Sequence, residues 1–362
     1  MNTPHATSLL ECELSIPEGG RLMADSYDSD KLMSLLDTTE HYKPEEAKRA
    51  KAADDHPKEK VSTQASKGTE TVECEVLDDI SDDPQETPQT LPSIPGDAFR
   101  PMPAVVALSA VFPSFRRPKD EMVEHEQVGT YDGHLLVYES GYRLNVYDEE
   151  LVLAIFNFYA DKQIHVGKKS QMWMKLSDLT RLVGRSHGGK NNAWVLSRLK
   201  CLRAATFSLS SLDFDPAKDE GTLQTFNILN HLSYKDGVVR LSLDPKWAEM
   251  FATFPISLIY SPTRMLLSSS HARVIHRILS TSNRPVQSYS EKKLIRLLGW
   301  EGTRKRDFWT AVKKAADELM THEVISDYQV GRSSRGETTI YFNVNHAKLK
   351  PGLCKAQQDH ED

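Results

Sequence analysis

The residues in this chain best equipped for chemistry are a glycine-rich loop and several groups of cations. Gly184-Arg185-Ser186-His187-Gly188-Gly189-Lys190-Asn191 satisfies GxxxxGK, whose backbone N–H groups cradle nucleotide phosphates when a strand precedes the loop and a helix follows it. Asn191 stands where a Ser or Thr hydroxyl would ligate magnesium, so ATP hydrolysis lacks its metal ligand. The 13 histidines include no HxH or HExxH arrangement, which leaves zinc hydrolases and metal-dependent nickases without ligands. Tyr289 and Tyr341 could serve as nucleophiles, but no ordered His-Arg set surrounds them. The expectation is a protein that is not an enzyme, with no catalytic residue, no cofactor and no metal.

The cations point elsewhere. Residues 167–204 carry nine Lys or Arg against the single acid Asp178, and residues 258–316 carry twelve against Glu291, Glu301 and Asp307. Such local excess suits a polyphosphate duplex, because bound cations release the counterions condensed on it. On a helix expected from Thr303 to about His322, Trp309, Val312, Ala316 and Leu319 form one stripe, and Arg306, Thr310, Lys313 and Asp317 form the opposite one. Arg304, Lys305 and Arg306 crowd its N-terminal end, the part of a recognition helix that reaches base edges in the major groove. Arg332 and Arg335 sit in the expected hairpin tip Gly331–Gly336, where they could lie along a phosphate backbone or in a minor groove. An earlier helix offers Lys190, Asn191, Asn192, Arg198 and Lys200 with a less regular apolar register. Trp194 and Trp309 are expected in the core rather than as stacking platforms.

These side chains need helices and hairpins to hold them. Two strands are expected at 131–138 and 142–147 around Ser140-Gly141, followed by a helix opened by Asp148 with Val152, Ile155, Phe156 and Tyr159 on one face. A strand at 172–176, a helix from Ser177 to Gly184, a helix from Lys190 to Ala204, and strands at 206–212, 223–229 and 238–243 complete a first unit. The second unit repeats the order with helices at 268–282, 291–298 and 303–322 and strands at 324–330 and 338–344. Leu179, Arg181, Leu182, Gly184, Lys190 and Trp194 align without a gap on Leu294, Arg296, Leu297, Gly299, Lys305 and Trp309. Helix, glycine turn, helix and antiparallel hairpin make a winged helix, so the pattern predicts an internal duplication. Asp213, Asp215, Asp219 and Glu220 are expected in the wing of the first copy, where phosphate would repel them; that wing should face protein or solvent.

The whole chain has 362 residues, 39% hydrophobic and 27% charged, enough for two cores. Its net charge of −6 is divided: residues 1–97 hold 22 acids and 9 bases, so the acidity belongs to a leader whose composition should not fold alone. Cys12, Cys74, Cys201 and Cys354 form no CxxC pair, which fits a reducing, cytoplasmic setting. No signal segment or membrane span is legible. The expected class is α+β, two tandem winged-helix domains behind a disordered acidic leader. Its divisions are leader 1–97, proline-rich linker 98–130, first winged helix 131–256, second winged helix 257–346 and tail 347–362.

Arg100-Pro101-Met102-Pro103, the run ending in Phe158-Tyr159-Ala160, Leu199-x-x-Leu202-x-Ala204-Ala205, and Ser270-His271-Ala272-Arg273 through Trp309 and Ala316-x-Glu318-Leu319 resemble the TrfA-type plasmid replication initiators. The resemblance spans roughly residues 98–330. It implies binding to repeated origin sites, called iterons, opening of nearby duplex and recruitment of host helicase and initiator proteins. It further implies a first winged helix used for dimerisation and backbone contact, a second that reads bases, and a monomer–dimer equilibrium. The leader departs from the best-known member, and no Gln-Leu-x-Leu-Phe clamp-binding motif is present. A winged-helix transcriptional regulator is the alternative, since the same module would serve it.

Overall fold

The computed structural model describes residues 89–94, 98–114, 121–166, 171–215, 221–302 and 304–353. Expectations placed on residues 1–88, 95–97, 115–120, 167–170 and 216–220, on Thr303 and on residues 354–362 lie outside the described part. The strands are β1 (Gln89–Thr90), β2 (Phe99–Pro103), β3 (Met122–Tyr131), β4 (His134–Tyr142), β5 (His165–Val166), β6 (Met172–Lys175), β7 (Thr206–Ser211), β8 (Leu223–Asn227), β9 (Leu229–Lys235), β10 (Val238–Leu243), β11 (Ile256–Tyr260), β12 (Val286–Ser290), β13 (Ile325–Arg332) and β14 (Thr338–Val344). The helices are α1 (Ala104–Ala107), α2 (Val146–Asp161), α3 (Leu176–Leu182), α4 (Gly189–Ala204), α5 (Lys246–Thr253), α6 (Ser261–Leu266), α7 (Ser270–Leu279), α8 (Glu291–Leu298), α9 (Lys305–Thr321) and α10 (His346–Leu349).

Two winged helices follow one plan. In the first, α2, β6, α3 and α4 lead to the β9–β10 hairpin, and the sheet runs β6-β10-β9; in the second, α7, β12, α8 and α9 lead to β13–β14, and the sheet runs β12-β14-β13. Each sheet is antiparallel, with its last strand in the middle. The helix before each turn ends at a left-handed glycine, Gly184 (φ 73°) and Gly299 (φ 61°), a conformation any larger side chain would strain.

Helix α2 begins at Val146, two residues before Asp148. Asn145 caps it, accepting from the Tyr147 and Asp148 N–H groups, while Asp148 Oδ2 accepts from the Asn145 N–H. Val152, Ile155, Phe156 and Tyr159 are all buried, as their spacing required. Phe156 packs against Trp247 and Phe251 of α5, and full burial of a side chain of this size contributes about 1.5–3 kcal/mol.

Three expectations are corrected. The first hairpin is β3–β4, turning at Asp132-Gly133 with positive φ at both residues, so Ser140-Gly141 lies within β4. An Asp-Gly pair in this geometry matches the twist of the flanking strands, which is why the turn forms there. Within the segment expected as a linker, 98–130, the described residues are built into the fold: β2 pairs with β11, Met102, Val105, Val106 and Phe112 are buried, and residues 122–130 belong to β3. Pro101 and Pro103 are tolerated because β2 has one partner and they occupy alternate positions along it. Finally, β7 and β8, which lie between α4 and β9, do not form the first wing; with β3 and β4, which precede α2, they make a separate sheet of order β3-β4-β7-β8.

The winged helices are joined through buried charge. Glu149 of α2 pairs with Arg277 at 2.6 Å and Arg264 at 3.0 Å, and Glu150 pairs with Arg264 at 2.8 Å and Arg273 at 3.2 Å. Arg277 also donates to the carbonyls of Ala107, Ser109 and Phe112, so most of its fork is satisfied by the first half of the chain. Buried pairs of this kind hold only with such extra hydrogen bonds, which offset desolvation.

Candidate nucleic-acid interface

Helix α9 buries Phe308, Val312, Ala315, Ala316 and Leu319 and exposes Arg306, Thr310, Lys313 and Asp317. The exposed stripe is the one its periodicity predicted. Phe308, adjacent to the expected Trp309, leads the buried stripe. Trp309 is half-buried, and its indole N–H donates to Glu291 Oε2 at 2.6 Å, tying α9 to the start of α8. Ser290 caps α8 by accepting from the Lys293 N–H.

The cations at this end divide. Arg304 occupies the N-cap position and Arg306 the first turn; both are exposed, as is Lys313, and none forms an ion pair among the described residues. Lys305 differs: its ammonium lies 2.9 Å from the same Glu291 oxygen. Arg332 ends β13 and Arg335 sits in the β13–β14 tip; both are exposed and without an ion pair among the described residues. The sheet register pairs Arg332 with Thr338 and so puts this tip at the far end of the hairpin from α9's C-terminus. A positive helix N-terminus and a positive loop are thus offered by one winged helix, with charge suited to phosphate and guanidinium forks suited to guanine edges.

The first winged helix is organised differently. Arg198 is not a surface cation: it is buried, and donates from Nε to Asp148 Oδ1 at 2.6 Å and from a terminal nitrogen to Oδ2 at 2.8 Å. Its position on the core side of α4 removes it from any duplex-facing surface. Asn192 accepts from the Thr180 hydroxyl at 2.9 Å, tying α4 to α3, and Asn191 donates to the Ser186 carbonyl at 2.7 Å. Lys190 and Lys200 are exposed. Asp213 and Asp215 belong to the β7–β8 connection of the separate four-stranded sheet, and Asp219 and Glu220 lie outside the described residues. The true first wing turns at Asp236-Gly237, with Lys235 exposed and the Arg240 guanidinium stacked 3.8 Å from the Trp173 ring.

The gapless alignment of the two copies holds through Gly184 and Gly299 and then slips. The buried positions of α4, Val195, Arg198, Leu199 and Leu202, match Val312, Ala315, Ala316 and Leu319 of α9 at a spacing of 117 residues rather than 115. Between the turn glycine and these buried positions the second copy therefore has 117 − 115 = 2 more residues. Lys190 and Lys305 are not equivalent, nor are Trp194 and Trp309. Trp194 is half-buried beneath the Arg185 guanidinium, 3.6 Å from its ring.

Part of the counted basic excess is internal. Arg264, Arg273 and Arg277 are held by Glu149 and Glu150, so the excess over 258–316 overstates the charge available to a ligand. The Gly184–Asn191 loop follows helix α3, not a strand, and so lacks the context of a nucleotide-phosphate cradle. His276 is buried in α7, and burial with the neighbouring Arg264 charge pushes its pKa down to about 3. Among the described residues no group of three or more His, Cys, Asp or Glu could hold a metal, and no helix is long and apolar enough to cross a membrane.

No family model matches the chain, and no curated protein matches it in sequence. Among solved structures it is similar to a selenomethionine crystal structure of domains 2 and 3 of RctB, at 13% identity and TM-score 0.44, covering 65% of this chain and 94% of that one. A second structure of RctB domains 2–3 gives 11% identity and TM-score 0.39, covering 67% and 98%.

Proposed function

We propose that this chain is a plasmid replication initiator that binds repeated duplex sites in an origin, opens nearby DNA and recruits host helicase and initiator proteins, without covalent catalysis. The observation that carries the reading is the N-terminal end of α9, where Arg304, Arg306 and Lys313 are exposed and unpaired among the described residues. The helix packs its opposite face into the core, so this stripe is free to enter a major groove. Arg332 and Arg335 supply backbone or minor-groove contacts from the wing. The first winged helix offers Lys190 and Lys200 for backbone contact and is assigned to self-association, in a monomer–dimer equilibrium. The residue matches to TrfA-type initiators favour an initiator over a promoter regulator, although one module would serve both.

Two measurements test this. Fluorescence anisotropy with random and selected duplexes should show salt-dependent binding that Arg304→Ala and Arg306→Ala weaken on the selected site. A plasmid bearing this gene and its neighbouring direct repeats should replicate in a suitable host. Duplex binding without replication in several hosts would leave the regulator; no duplex binding at low salt would end both readings.

A further inference from the structure

Of the four acids on α8 and α9, Glu291, Asp307, Asp317 and Glu318, Glu291 is the one ion-paired with a cation of the α9 N-terminal turn among the described residues. Glu291, the first residue of α8, accepts from Trp309 Nε1 and faces Lys305 Nζ through the same oxygen, at 2.6 and 2.9 Å. Its side chain is 20% exposed against 62% for Lys305, so the carboxylate is the more buried member and the ammonium the one more accessible to a ligand. Lys292, Lys293, Arg296, Arg304, Arg306, Lys313 and Lys314 make no ion pair among the described residues. In the first winged helix the residue beginning α3 is Leu176, which is buried, so the acid belongs to the copy that carries the base-reading cations.

An acid at a helix N-terminus is favoured by the helix dipole alone. That does not account for a single oxygen receiving donors from two positions of the next helix. An exposed ion pair contributes at most about 1 kcal/mol, so phosphate can compete for Lys305. Every duplex, whatever its sequence, must offset that pair before it gains the Lys305 contact. Arg304 and Arg306 are under no such restraint.

Resting on the DNA-binding reading above, we propose that Glu291 is a specificity-determining residue: it withholds the Lys305 charge from the phosphate backbone and anchors Trp309, leaving discrimination to Arg304 and Arg306. Sequence-independent binding is thereby lowered more than binding to the correct site.

The test uses the full chain with Glu291→Gln, which can still accept from the Trp309 N–H but no longer neutralises Lys305, alongside Lys305→Ala and the double variant. Binding is measured to a random duplex and to a duplex selected from a randomised pool by the unsubstituted chain. Glu291→Gln should raise affinity for the random duplex about 3- to 10-fold at low salt and steepen the slope of log K against log salt by about 0.9, the value for one added phosphate contact. The selected site should gain less, so the specificity ratio falls. In the Lys305→Ala background the same change should have no effect on the slope, because the effect passes through Lys305. An unchanged slope in Glu291→Gln, or equal steepening without Lys305, overturns the inference while leaving DNA binding intact. Absence of duplex binding by the unsubstituted chain overturns both. Circular dichroism and thermal midpoints establish that each variant is folded.

Discussion

The two winged helices share strand order and a left-handed turn glycine, yet the helix that follows that glycine treats its polar residues differently in the two copies. In the first, Arg198 is drawn into the core by Asp148, and Asn191 and Asn192 are spent on ties to Ser186 and Thr180. In the second, the position matching Arg198 is Ala315, and the cations at this end of the helix, Arg304 at the N-cap, Arg306 and Lys313, are exposed. A local surplus of Lys and Arg is therefore no measure of a binding surface. What decides is whether a carboxylate on a neighbouring helix faces the cation in the fold.

The contrast can be broken most directly at Arg198. Arg198→Ala should lower the unfolding free energy by about 3–5 kcal/mol, because Asp148 stays buried without its partner, and Arg198→Ala with Asp148→Ala should recover part of the loss. Urea denaturation measures it; full stability with weakened duplex binding would return Arg198 to the interface.

The next effect concerns His276, a buried neutral histidine in the first helix of the second copy. Its folded pKa of about 3 lies below the ordinary 6.5, so protonation favours the unfolded chain. The stability it contributes is present above about pH 6.5 and is lost as pH falls toward 3; between pH 6.5 and 4 the loss is about 3 kcal/mol. His276→Leu should flatten that part of the stability profile, and an unaltered profile would show that the ring is not held neutral by the fold.

A smaller change sharpens the comparison at the recognition helix itself. Arg304→Ala and Arg306→Ala should each weaken binding to a selected site by about 1–3 kcal/mol, the value of a bidentate base contact, and weaken random-duplex binding less. Smallest are the single lysines: Lys313→Ala should reduce the salt slope by about 0.9, and Lys190→Ala or Lys200→Ala by less. Equal slopes across the three would erase the distinction between the two copies as DNA contacts.

Much of the helical plan was legible. The stripe Val152, Ile155, Phe156, Tyr159 and the exposed face Arg306, Thr310, Lys313, Asp317 follow from the 3.6-residue period alone, and the two turn glycines from helix termination. The Asp132-Gly133 hairpin was also written in the sequence as a turn-forming pair, though Ser140-Gly141 stood out instead. The separate sheet β3-β4-β7-β8 was not legible, because β7 and β8 have the same alternation as a wing and nothing local says which strands they pair with. The two-residue slip between α4 and α9 was hidden for a similar reason: Trp194 and Trp309 recur at matching distance from glycine, but only burial shows that they face differently.

By itself, the amino-acid order determined periodicity, caps, turns and where charge accumulates, since each depends on neighbours within a few residues. Only the tertiary structure decided that Phe99–Pro103 is a strand, that Arg198 meets Asp148 and Arg277 meets Glu149, and that Glu291 reaches both Trp309 and Lys305. The free energy of a charged side chain is set by whatever lies within a few ångströms of it, and those neighbours come from distant parts of the chain.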